Sequence, residues 1–131
     1  MMIVRTLPLI ALFALAACEP PPRAPVAGPE ARKRVDAETL AYADCVVKGA
    51  EAAPLGESPG LVVAQVVRDC APRREALATA IEKFHALGNP SFTPERTAMV
   101  AEASIQQLEP QIRSDAIAAY VSRALPSQKA E

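Results

Sequence analysis

The chain has 131 residues, with 14 Lys plus Arg against 15 Asp plus Glu, and this near-balance gives no support to a nucleic-acid partner. Half of the residues count as hydrophobic, but only 4% are aromatic, and alanine together with the N-terminal run supplies much of that half. The length suits one small domain and not two, and a core this thin leads to the expectation of a covalent staple.

The N-terminus carries Arg5, then an apolar run over 7–17 that ends in the small pair Ala16 and Ala17 ahead of Cys18. A cationic start, an apolar stretch of roughly 7 to 15 residues and small residues before a cut describe a secretory signal. The run is shorter than the roughly 20 apolar residues that a bilayer span requires. Leu15-Ala16-Ala17-Cys18 resembles the lipobox of bacterial lipoprotein precursors. That resemblance implies cleavage between Ala17 and Cys18, a diacylglycerol on the Cys18 sulfur and an acyl chain on the new amine, with no other cofactor. Each buried methylene contributes about 0.8 kcal/mol, so two or three chains hold firmly where one does not. The first partner implied is therefore a membrane, with the domain facing the periplasm. Glu19, not Asp, follows the cysteine, which favours the outer membrane over the inner one in a Gram-negative cell.

Glu19 to Pro29 is dominated by proline and has neither helical nor strand periodicity. Proline fixes φ and donates no backbone hydrogen bond, so the segment reads as an extended polyproline spacer. About 12 residues at this rise reach roughly 35 Å. Arg32, Lys33 and Arg34, with Arg23 upstream, form a basic cluster after the prolines. It is either solvated linker charge or a contact for anionic headgroups, where each cation contributes on the order of 1 kcal/mol. Residues 18–35 are thus expected to be tether, 36–126 the folded domain, and 127–131 a disordered tail.

Asp36 ahead of Ala37-Glu38-Thr39 predicts a first helix over 36–53, with Leu40, Val47 and Ala50 on its apolar face and Tyr42, Val46 and Ala53 beside them. Pro54, Gly56, Pro59 and Gly60 then break the chain, and Ser58-Pro59 marks a restart. The stripe Val63, Val67, Cys70, Leu77, Ile81 and Phe84 keeps helical phase, with Arg74 the one interruption at an expected apolar position. Pro72 makes this either two helices or one kinked helix over 59–87, and the unbroken phase favours the kink. Gly88-Asn89-Pro90 predicts a left-handed cap and a stop. Thr93-Pro94 opens the next segment, predicted over 94–108 with Met99, Val100, Ala101, Ile105 and Leu108. A final segment over 110–125 carries Ile112, Ala116, Ile117, Tyr120, Val121, Ala124 and Leu125, and Pro110 either kinks or breaks the join. No run has the period-two alternation of a strand. The fold class is all-α, a disulfide-stapled bundle of three or four helices.

With Cys18 assigned to lipid, Cys45 and Cys70 remain as a pair in an oxidising compartment. They lie roughly 12 Å and 16 Å from the inter-helix turn on antiparallel helices, within one helical turn of each other. A disulfide is expected. The rival, a redox-active pair, lacks the Cys-x-x-Cys spacing and the polar setting that lowers a thiol pKa. Two thiols and a remote His85 make no structural metal set.

No catalytic constellation assembles around His85, the one histidine, and there is no Gly-x-Ser-x-Gly elbow, phosphate loop or His-Glu-x-x-His motif. Asp44 with Lys48, Asp69 with Arg73 and Glu109 with Arg113 are spaced as helix-surface pairs, acid first. Arg68, Arg73 and Arg74 offer an alternative basic patch. The sequence therefore points to a non-enzymatic, membrane-anchored module that binds or positions an envelope protein. Two alternatives stand beside it. One is a helical module holding a lipid or small apolar ligand among small residues such as Ala43, Gly49, Ala50 and Ala78; the other is similar in architecture to the helical pilotin lipoproteins of secretion systems.

Overall fold

The computed structural model describes residues 28–125, which form four α-helices: α1 (Pro29–Ala52), α2 (Pro59–Asp69), α3 (Ala71–Gly88) and α4 (Pro94–Ala124). Among the described residues there is no strand. The signal segment with Ala17 and Cys18, the tether up to residue 27 and the tail from residue 126 lie outside them.

α1 begins seven residues ahead of its expected start at Asp36, so the last part of the expected tether is helix. Pro29 takes the first helical position, where its fixed φ suits the helix and its missing N–H is not needed, and Glu30 adds an acidic side chain to the first turn. The Ala-Arg-Lys-Arg run that follows is made of good helix formers. Asp36 consequently sits inside the helix and caps nothing.

The expected single kinked helix over 59–87 is two helices separated at Cys70, whose backbone (φ −86°, ψ 8°) leaves the helical region. Pro72 has no N–H for the carbonyl four residues back, so the ladder fails there. Cys70 closes one helix and opens the next: its N–H donates to the Val66 carbonyl at 2.9 Å, while its own carbonyl accepts from Arg73 and Arg74 at 3.0 and 3.2 Å. Only one residue separates the two helices, which is why the apolar phase survives. The other interior proline does the opposite. α4 runs unbroken through Pro110 for 31 residues, joining the two segments expected over 94–108 and 110–125. Pro110 and Gln106, the residue whose carbonyl loses its donor, are both exposed, as are Pro72 and Arg68; the two sites differ in that Cys70, beside Pro72, is bonded to α1.

Caps follow the same logic with one exception. The Thr93 hydroxyl accepts from the Arg96 N–H at 3.3 Å, and Ser58 precedes Pro59 in extended conformation without a side-chain cap bond. Gly88 is the last helical residue and not a left-handed cap. The one described glycine at positive φ is Gly56 (118°), in the turn between α1 and α2.

α1 and α4 run in the same sense, since Tyr42 meets Glu109 and Ala53 meets Arg123, and α1, α3 and α4 each pack on the other two. The core is Tyr42, Val46 and Ala50 of α1, Val62, Val63 and Val66 of α2, Leu77 and Ile81 of α3, and Ala101, Ile105, Ile112, Ala116 and Tyr120 of α4. Leu40 and Met99, expected inside, are 71% and 73% exposed. At 100° per residue, Leu40 falls about 200° around α1 from Tyr42, and Met99 about 200° around α4 from Ala101. The large, fully buried tyrosine sets the face of α1, and leucine does not.

The disulfide joins Cys45 of α1 to Cys70 at the break, with a Cα–Cα distance of 6.0 Å. One turn along α1, Gly49 allows α2 to approach closely, since a Cβ there would overlap Cγ1 of Val66. Two outcomes follow. Cys45→Ser opens a loop of 25 residues, worth about 3 kcal/mol in the chain-entropy model, and should lower the melting temperature followed by far-UV circular dichroism by roughly 10–20 °C. Gly49→Ala should destabilise by about 1–3 kcal/mol, and Val66→Ala in that background should cost less than it does alone, because losing the Val66 methyls frees the space that the new Cβ fills.

Candidate functional site

Arg74, the polar residue at an apolar position of the stripe, leaves α3 to clamp α4. Its Nη1 and Nη2 donate to the two oxygens of Glu102 at 3.0 and 2.8 Å, and its Nε donates to Oε1 of Glu109 at 2.8 Å. Tyr42 of α1 donates its hydroxyl to the same Glu109 oxygen at 3.1 Å, so one cluster ties three helices. The hydrogen bond to Glu102, then that to Glu109, hold the guanidinium charged more firmly than usual. Arg74, and after it Gln106, keep the Glu102 carboxyl below its ordinary value. Burial, reinforced by the Glu109 charge, pushes the Tyr42 hydroxyl up. The groups satisfy one another, and among the described residues no buried side-chain polar atom lacks a partner. This geometry fastens three helices.

A second polar tie closes the opposite end. The Tyr120 hydroxyl lies within 3.2 Å of the Gly56 N–H and 3.3 Å of the Glu57 N–H, both of which donate to it, and reaches the Pro54 and Glu57 carbonyls at 3.2 and 3.1 Å. Arg123 donates to the carbonyls of Ala50 and Ala53 at 3.3 and 3.0 Å, closing the C-terminus of α1 with a cation where the helix dipole is negative.

Beside this end, α1 and α2 leave a groove of about 460 Å³. Gly49, Ala52 and Ala53 form one wall and Val62 and Val66 the other, with the Cys45–Cys70 bond between them. Glu57, Gln65 and Asp69 supply its polar groups, so it is apolar within and acidic at the rim. Ala52 and Ala53, small residues at the end of α1, leave the hollow, next to the close approach of α2 at Gly49.

The expected surface residues are dispersed. Arg32, Lys33 and Arg34 are exposed on the first turns of α1, Lys33 paired with Glu30 at 3.0 Å and Arg34 with Glu38 at 3.0 Å. Of the three expected surface pairs, Asp44 with Lys48 and Glu109 with Arg113 form, and Asp69 with Arg73 does not. The Glu109–Arg113 pair is long, 4.0 Å, with the other Glu109 oxygen held by Arg74, and Asp69 accepts from Gln65 at 2.7 Å and not from Arg73. Arg68 donates to Gln65 and Arg74 turns onto α4, so the alternative basic patch does not assemble. His85 lies edge-on to Phe84, with ring centroids 5.4 Å apart. Among the described residues no three His, Cys, Asp or Glu side chains come together to hold a metal ion, and no described helix is long and apolar enough to cross a membrane.

The groove was not legible in the sequence beyond its small residues, and Glu57 and Asp69 carry no motif. Arg74 had a signal, its polar intrusion into a helical stripe. Comparison with protein-family models, curated proteins and solved structures gave no match.

The clamp generates a pH dependence. A carboxyl whose folded pKa is depressed contributes stability that is complete above its unfolded value, near 4.5 for Glu102, and is lost as pH falls through the lower folded value. Glu102→Gln should therefore flatten the loss of stability between about pH 5 and pH 3 in denaturant titrations, leaving a smaller slope than in the unaltered chain.

Proposed function

We propose that this protein is a lipoprotein anchored through Cys18 in the periplasm-facing leaflet of the outer membrane, carrying a non-enzymatic helical module that docks an envelope protein in the groove between α1 and α2. The lipobox resemblance supports the anchor. The observation that carries the docking reading is the groove itself: an apolar hollow of about 460 Å³ with a covalently fixed floor and carboxylates of Glu57 and Asp69 at its edge. Such a hollow suits an aliphatic side chain flanked by Lys or Arg, because apolar contact supplies affinity while the acidic rim sets orientation and rejects acidic competitors. The Arg74 cluster fits this role as internal fastening, since its groups are occupied with each other.

Two experiments test the two halves. Cys18→Ala should abolish fatty-acid labelling and release the processed chain from the membrane fraction. A photo-crosslinking residue at Ala52 in the groove should capture a defined protein in intact cells, with capture lost in Glu57→Lys combined with Asp69→Lys and absent when the probe is moved to Met99. Equal capture from both positions would overturn the groove as the docking surface.

A further inference from the structure

Near the end of the bundle where α1 begins, α1, α3 and α4 border a second open cavity, of about 290 Å³. Its apolar lining is Val35 of α1, Ile81 and Phe84 of α3 and Leu108 of α4. Its rim carries Arg32, His85 and Gln107, all able to donate hydrogen bonds, with Asp36 the one carboxylate. The fifth rim group, the Ser104 hydroxyl, already donates to the Val100 carbonyl at 2.8 Å. Lys33 and Arg34 are matched with Glu30 and Glu38, whereas Arg32, the cation of that cluster that borders the cavity, forms no ion pair among the described residues.

We propose that this cavity binds a small free amphiphile with an acidic head and a short aliphatic tail. The head, a carboxylate or phosphate, would meet the guanidinium of Arg32, whose planar fork matches two oxygens at once, with the His85 ring and the Gln107 amide as further donors. Three donor side chains against one carboxylate favour an acceptor-rich head over a cationic one. The tail lies against Val35, Ile81, Phe84 and Leu108. The volume lies near the lower end of small-molecule sites, about 300–1,000 Å³. A hollow of this size suits a short aliphatic chain, and eight-carbon compounds serve as probes. This inference concerns a different face from the groove between α1 and α2 and stands without it.

The test uses the full chain in phosphatidylcholine nanodiscs, with thermal unfolding followed at increasing octanoate, octanol and octylammonium. A ligand that binds only the folded state raises the melting temperature. Octanoate should raise it, and octanol and octylammonium should not. Arg32→Gln should leave the ligand-free melting temperature unchanged, since Arg32 is exposed and unpaired, and should weaken octanoate about tenfold. Ser104→Leu, which places an alkyl group at the rim, should remove the octanoate shift. Absence of an octanoate shift, equal shifts from the three probes, or an undiminished shift in Arg32→Gln would overturn the proposal. Replacing part of the lipid by phosphatidylglycerol separates a free ligand from a bilayer headgroup: if the anionic nanodisc alone raises the melting temperature and octanoate then adds nothing, the free amphiphile is excluded.

Discussion

The Cys45–Cys70 bond fastens the bundle at the point where its middle helix fails. Pro72 cannot supply the ladder bond that would carry α2 into α3, so α2 is an eleven-residue helix attached through a single non-helical residue. A helix of that length is marginal by itself. It holds its place because Val62, Val63 and Val66 are buried against the core and because Cys70, at its end, is bonded to α1. The same linkage sets the separation of α1 and α2, and therefore the width of the groove between them.

With so few large apolar side chains, the bundle relies on polar ties at defined levels. Arg74, Glu102, Glu109 and Tyr42 join three helices near mid-height, and Tyr120 with Arg123 joins α4 to the end of α1 and the following turn. Both tyrosines are buried in the core yet place their hydroxyls on charged or backbone partners, so each ring supplies apolar area while its oxygen fixes register. Glycine has two specific uses: Gly56 at positive φ allows the turn whose amide reaches Tyr120, and Gly49 admits Val66.

Helix identity was legible because local chemistry decides it. Pro59 and Pro94 each sit in the first turn of a helix as read, and Thr93 caps the last, whereas Pro29, read as the end of the spacer, opens α1. The two interior prolines show where such reading stops. Pro72 and Pro110 have the same local effect, one missing donor, yet the first separates two helices and the second lies within a continuous one. Both prolines and the residues four positions before them are exposed; the site at Pro72 differs in adjoining Cys70, which is bonded to α1, a tie set by the packed molecule and not by the flanking residues. Likewise, an amphipathic stripe identifies a helix face only to within its own width, which is why Leu40 and Met99 were placed inside and lie outside.

By itself the sequence determined an all-α domain, the pairing of its two internal cysteines, the turns, and a lipobox-like segment ahead of a proline-rich stretch, all features governed by residues close together or by the count of thiols. Tertiary structure alone decided that Arg74 closes onto Glu102 and Glu109, that Tyr120 grips the α1–α2 turn, and that two hollows form with rims of opposite character. Those arrangements join residues tens of positions apart. Their energy comes from desolvation and geometry at the meeting of helices, and no local pattern encodes which helix faces will meet.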